Sequence, residues 1–196
     1  MCNEAARRVA LGQIRDDFSD LRVPLRFPEG LPNLQPVDGF RITERTLIVR
    51  PAADATHEAD AIMRRWSWPG PSGKPVYNFR SDGRSLDKGR CLIPVDGFYE
   101  FTAPADPKAK RKTKWMFTHA AEPWFCIAGV WRADAAVGEA FAMLTCPPGP
   151  DVAPYHDRQV VVIDRAHWAG WLDGSASAAD LCRPLPAGTL QVARVG

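Results

Sequence analysis

Residue 2 is a cysteine directly behind the initiator methionine. Methionine is normally trimmed when the next side chain is small, so the mature chain is expected to begin at Cys2. An N-terminal cysteine carries an amine and a thiol on adjacent carbons, with ordinary pKa values of about 7.7–8.0 and about 8.5. Both nucleophilic forms therefore exist near neutral pH. With an aldehyde the amine forms a Schiff base, and the thiol then closes a five-membered thiazolidine ring. An internal cysteine cannot do this. Taken alone, Cys2 reads equally as a chance residue in a frayed terminus. Three further segments hold polar side chains amid apolar or turn sequence: Tyr77-Asn78-Phe79-Arg80-Ser81-Asp82, Arg90 to Phe101, and Tyr155-His156-Asp157-Arg158. A carboxyl held out of water can exchange a proton near pH 7, and histidine titrates in the same range. Plainer readings stand beside these: Glu100 as a strand-end charge next to an arginine, His156 as a turn cap, Asn78 as a turn residue.

The charge pattern is uneven. The chain has 25 Lys+Arg against 23 Asp+Glu, net +2. Between Arg64 and Lys114 lie 12 basic and 5 acidic residues, net +7, which leaves −5 for the remainder. Such asymmetry is expected of a phosphate-binding face. Arg64, Arg65, Lys74, Arg80, Arg84, Lys88 and Arg90 are interleaved with Trp66, Trp68 and Tyr77. That mixture suits single-stranded nucleic acid, where rings stack on bases and cations hold phosphates. The densest run, Lys108 to Lys114, reads on its own as a solvated hairpin loop.

Together with Met1-Cys2, these segments resemble the SOS-response-associated peptidase (SRAP) family, whose members shield abasic sites in DNA. RCLIPVDGFYEF at 90–101 is the most specific part. NFRSD at 78–82 resembles the family's Asn-x-Arg-Ser/Ala-Glu block, HDR at 156–158 its His-x-Arg block, and Arg64-Arg65-Trp66 its Arg-Trp-Gly segment. The chain departs from the family pattern in its Met-Cys-Asn-Glu start, in Asp82, and in Ser67, which stands where the family has glycine. The resemblance implies that Cys2 crosslinks covalently, through a thiazolidine, to the opened sugar of an abasic site in single-stranded DNA. It implies that Asn78 orients the Cys2 amine and the sugar, that Glu100 shuttles protons, and that His156 protonates the opened sugar and assists reversal. Arg80 is implied to hold phosphate, with Arg158 as a further backbone contact. Trp66, Trp68, Arg64, Arg65 and Arg84 complete the expected DNA contacts.

Two alternatives stay open. One is a thiol peptidase using Cys2, Glu100 and His156, with removal of Met1 as its mildest form. The other is a non-covalent reader of modified bases through Trp66 and Trp68. No cofactor or metal is expected, because His57, His119 and His167 have no ligand spacing and the five scattered cysteines form no metal knuckle. Cys91, Cys126, Cys146 and Cys182 read as small core side chains.

The elements that must position these residues follow from pattern. A length of 196 residues suits a single domain over 1–196. With 15 Gly and 18 Pro, many short strands and turns are expected rather than a helical bundle. The expected fold class is α+β, a bent antiparallel sheet or open barrel with short flanking helices. A first helix is expected over 4–21, capped by Asn3, its dipole favouring a Cys2 thiolate. An ordered Pro-rich loop over 22–41 follows. Strands are expected at 46–50, 91–94, 97–102, 115–119, 124–131, 140–145 and 159–163, with a turn at 69–75. Residues 59–65 fit either a strand or a short helix. A helix from Asp164 to Trp171 ended by Gly174, a short helix at 176–182 and a strand at 189–195 close the chain. No apolar run approaches roughly 18 residues, so no transmembrane helix and no membrane partner are expected. The start lacks a basic-then-apolar leader, which points to the cytoplasm, near the nucleoid. The expectation is a monomer acting on abasic single-stranded DNA, with replication proteins as further partners.

Overall fold

The computed structural model describes residues 1–196 except Thr56, Pro107 and Ala109. In chain order the elements begin with strand β1 (Glu4–Arg7), helix α1 (Leu11–Asp20), β2 (Leu25–Arg26), β3 (Val37–Arg41), β4 (Arg45–Pro51) and β5 (Ala59–Trp66). Next come β6 (Trp68–Pro69), β7 (Pro75–Val76), β8 (Asn78–Arg80), β9 (Arg90–Val95), β10 (Gly97–Thr102) and β11 (Thr113–His119). The chain continues with β12 (Phe125–Asp134), β13 (Gly138–Cys146), β14 (Gln159–Val160) and β15 (Val162–Ile163). A 3-10 turn (Arg165–His167), α2 (Trp168–Asp173), α3 (Ala178–Leu181) and β16 (Leu190–Arg194) complete it.

Two sheets result. In the larger, β13, β12, β9, β4 and β5 are successive neighbours, and β5 returns to β13 through a parallel pairing of Arg65 with Ala140 and Trp66 with Phe141. The ring closes, so the barrel is shut rather than open. Its strands are buried on both faces. Ile48, Cys91 and Ile93 belong to one apolar cluster, while Leu47, Val49 and Leu92 belong to a second that also takes in Phe18, Trp168 and Trp171. Successive side chains point to opposite faces, so one strand feeds both cores. Gly129 in β12 lets the ring close tightly, since a Cβ there would lie 2.5 Å from Ile93 Cδ1 and 3.0 Å from Cys91 Sγ. The smaller sheet is antiparallel in the order β16-β11-β10-β1-β3. Asp96 joins β9 of the barrel to β10 of this second sheet, so the 90–101 motif passes from one layer to the other. The Asp96 carboxylate accepts the Arg8 and Val9 amides and so fixes the exit of β1 at that junction.

The expected helix over 4–21 is corrected in its first half. Glu4–Arg7 is a strand, paired to β10 through Ala5–Phe98 and to β3 through Ala5–Phe40, and the helix begins only at Leu11. Glu-Ala-Ala-Arg is locally helix-forming, but docking between two strands satisfies its backbone on both sides, and this outweighs propensity. Asn3 is therefore no N-cap; Ala10 occupies that position, without a side-chain bond. The 22–41 stretch, expected as loop, contains β2 and β3. Residues 59–65, fitting either element by pattern, form β5. The strand expected over 159–163 is two short pieces on different partners: β14 pairs with β13 and β15 with β12. The other expected strands and helices occur at the expected places, with Gly174 in the left-handed conformation at φ 79° behind α2.

Candidate active site

Three of the singled-out side chains, Asn78, Glu100 and His156, converge on the first two residues. Cys2 leads into β1, the second sheet's inner strand, and is 1% exposed; its thiol donates to the Glu4 carbonyl at 3.3 Å. Glu100 sits in β10, beside β1, and its carboxylate lies 3.4 Å from the Met1 ammonium. Asn78 opens β8, a strand held parallel to the end of β13 by the pairing of Asn78 with Met143 and Arg80 with Thr145. Its Nδ2 donates to the Cys2 carbonyl at 2.7 Å. His156 hangs from the turn between β13 and β14, which also pair at Thr145–Val160. The Met1 amine hydrogen-bonds to His156 Nε2. That turn depends on Gly149, where a Cβ would meet the Leu185 carbonyl at 2.8 Å. The end of β13 thus carries both Asn78 and His156 to the chain start, while β10 brings Glu100 from the other sheet.

Burial sets the charges. Glu100 has its pKa raised from 4.5 to about 7, first by loss of water, a rise opposed by the Met1 amine and by the Cys2 backbone amide donating to it. It is poised to give and take a proton near neutrality. Burial also pushes the Cys2 thiol far up, and the Glu100 charge adds to the rise. This corrects the expectation of a thiolate favoured by a helix dipole: no helix starts at Cys2, and the buried sulfur keeps its proton. Burial, then the Met1 amine, lowers the His156 pKa, against the opposing pull of Asp157. Its Nδ1 accepts the Arg158 amide at 3.0 Å, which holds the ring. Two buried oxygens facing this assembly, Asn78 Oδ1 and Glu100 Oε1, have no hydrogen-bond partner among the described residues. Each such atom costs about 1–3 kcal/mol in the absence of a partner.

The expected DNA contacts divide. Trp66 and Trp68 are not available for stacking on bases. Trp66 is fully buried in the barrel between Phe40 and Phe141, its indole donating to the Tyr77 carbonyl at 2.8 Å. Trp68 is 5% exposed and covered by the Arg132 guanidinium. Arg64 is likewise turned inward, held by Glu29 at 2.7 Å and Glu139 at 2.6 Å. An apolar ring gains more from burial than from solvent, and a guanidinium between two carboxylates has little charge left for phosphate. Arg65 is half-buried and donates to the Thr43 carbonyl at 3.2 Å. Arg158 is half-buried, bonded to the Thr145 carbonyl at 2.7 Å and paired with Asp82. Arg80 and Arg84 are exposed, Arg84 lying over the Phe79 ring at 4.9 Å. Cys91, Cys126 and Cys146 are buried, and Cys182 is half-buried. Among the described residues no group of three His, Cys, Asp or Glu side chains is placed to hold a metal ion, and no helix is long and apolar enough to cross a membrane.

Two residues acquire partners that only the folded chain supplies. Glu4 is buried, and its carboxylate is taken up by Lys114 at 2.9 Å and Arg41 at 3.5 Å, which ties β1 to its sheet. Trp115 stands directly opposite Glu100 across the β10–β11 pair. Period-two alternation in Thr113–Phe117 places Trp115 on an inward face, but only the hairpin register names its partner.

The fold is shared with solved structures. A Bordetella bronchiseptica protein superposes with a TM-score of 0.74 at 22% identity, over all of both chains. A Bacteroides thetaiotaomicron protein gives 0.74 at 16% identity, over all of this chain and 92% of the other. A phage-related protein from Bordetella bronchiseptica gives 0.72 at 21%, over 99% of this chain and 94% of that one. No curated protein matches the chain. The model of the SOS response associated peptidase (SRAP) family matches residues 74–196, and the chain belongs to that family. Asn78, Glu100 and His156 lie within the matched span, whereas Cys2 precedes it. Membership supports a role in the SOS response to DNA damage and an association with DNA.

Proposed function

We propose that the chain shields abasic sites in single-stranded DNA by a covalent thiazolidine crosslink through Cys2, after Met1 is removed. The observation that carries this reading is the company of the Cys2 backbone nitrogen. It faces Glu100, whose pKa lies near 7, while Asn78 holds the Cys2 carbonyl and His156 bonds the amine of the adjacent Met1. Trimming Met1 turns that nitrogen into a free amine beside Glu100 and Asn78 and clears the space between it and His156. The closed sugar of an abasic site must open to its aldehyde, and neutral His156 is placed to relay the proton involved. The amine adds to the aldehyde carbon, and protonated Glu100 gives the proton with which water departs, leaving the protonated imine. The thiol then gives its proton back to the Glu100 carboxylate as its sulfur adds to the imine carbon; the C=N electron pair returns to the ring nitrogen, and the C–S bond closes the ring. The order is amine first, because the buried thiol stays protonated until an acceptor carboxylate takes its proton. Holding amine, thiol and aldehyde together makes the sequence effectively unimolecular.

The same burial disfavours a general thiol peptidase, which attacks as a thiolate. The Met1 amine between Glu100 and His156 favours one restricted form, in which the chain's own Met1–Cys2 bond is the substrate. The test is incubation of purified protein with an abasic single-stranded oligonucleotide. A slow band on denaturing gels, with the summed mass less one water, is expected. Absence of that species, or an equal yield from Cys2→Ala, overturns the proposal.

A further inference from the structure

Glu100 on β10 is paired directly with Trp115 on β11, and Trp115 directly with Arg194 on β16. Residues opposite each other in antiparallel strands share a face. The carboxyl, the indole and the guanidinium therefore form one transverse row, starting at the reactive centre and ending at the sheet edge. With strands about 4.8 Å apart, the row spans about 10 Å, room for one nucleotide beside the reacting sugar. Tyr155, next to His156, packs on the Trp115 ring at 4.8 Å between centroids and edge-on against Phe117 at 5.4 Å. The Trp115 indole is further fixed by donating to Thr102 Oγ1 at 2.9 Å. Both rings keep part of their surface in solvent, unlike Trp66 and Trp68. Arg194 and Lys112 are exposed, and Lys112 stands close enough to His156 for its charge to act on the imidazole. A pre-set aromatic platform bordered by exposed cations, continuous with a centre that takes an abasic sugar, matches a single strand's alternation of base and phosphate.

We propose that this row seats the nucleotide adjacent to the abasic site, its base stacked on Trp115 with Tyr155 along its edge and its phosphate drawn to Arg194 and Lys112. The inference rests on the DNA-shielding reading for the identity of the strand. Stacking accepts any base, so the seat distinguishes a present base from a missing one and favours purines through their larger rings.

The experiment measures equilibrium binding and crosslinking separately. Binding uses labelled single-stranded oligonucleotides with a stable tetrahydrofuran spacer at the reacting position, and either adenine or a second spacer as its 5′ or 3′ neighbour. Wild-type protein is expected to bind the adenine form about 5- to 100-fold more tightly on one of the two sides. Trp115→Leu, which keeps an apolar cover over Phe117, should lose that preference while binding the double-spacer strand like wild type. Thermal unfolding of the variant verifies its fold, and Trp115→Phe should restore part of the preference. Arg194→Gln should reduce the slope of log affinity against log salt by about 0.7. Equal binding of adenine and spacer neighbours by wild type, or a preference unchanged in Trp115→Leu, overturns the seat. Crosslinking of natural abasic strands without any neighbour preference refutes the seat alone. A Trp115-dependent preference in a protein that forms no crosslink refutes the covalent reading and leaves the seat standing.

Discussion

Replacing Glu100 by glutamine separates the stability of this protein from its chemistry. An unfolded glutamate titrates near 4.5, and Glu100 in the folded chain titrates at about 7. Between those values the folded state binds the extra proton, so stability falls as pH rises and the loss is complete above the folded pKa. At about 1.4 kcal/mol for each pH unit separating the two values, the cost of the buried charge reaches about 3 kcal/mol in alkaline solution. Glutamine has the same shape and no charge to bury. Glu100→Gln should match the wild type below about pH 4, then become progressively more stable than it, by up to about 3 kcal/mol at about pH 8.5. Denaturant titrations of both proteins at a series of pH values measure the difference. Crosslinking to an abasic strand should fall about 100-fold or more in the same variant, since the amide neither gives nor takes the proton. Parallel pH–stability curves for the two proteins would refute the raised pKa, and with it the proton-shuttle role built on it.

Two further substitutions test the packing. Trp66→Phe removes the indole bond to the Tyr77 carbonyl and opens space in the barrel; a stability loss of about 2 kcal/mol is expected. Affinity for single-stranded DNA should stay unchanged, and a weakened affinity in the folded variant would restore Trp66 as a base contact. Ser67 follows Trp66 with φ 93°, in the left-handed region that favours glycine, and its buried hydroxyl has no partner among the described residues. Ser67→Gly should therefore stabilise by about 1 kcal/mol, raising Tm by about 2–4 °C; a lower Tm would show that the hydroxyl is satisfied.

Much of the sheet was legible because its strands are apolar on both faces or strictly alternating, as in Leu47–Val49 and Cys91–Val95. β1 was not, because Glu-Ala-Ala-Arg carries helix propensity and its strand state exists only through β3 and β10. Serine at position 67 concealed a backbone conformation that glycine would have announced. Tryptophan beside arginine at 64–68 has the composition of a DNA face, yet the same residue types serve a barrel interior once Glu29 and Glu139 arrive to neutralise Arg64. Those partners lie far away in the chain, and local pattern carries no record of them.

Residue type and local spacing by themselves determined which reactive groups this chain owns: a cysteine beside its start, a carboxyl within an alternating strand, an asparagine and a histidine at strand ends. Tertiary structure alone decided their states. It closed the barrel, brought Asn78, Glu100 and His156 to the first two residues, kept the Cys2 sulfur protonated and moved the Glu100 carboxyl to neutrality. The reason is that a proton affinity depends on the water excluded and the charges nearby. Both are supplied here by segments that meet only in the folded chain.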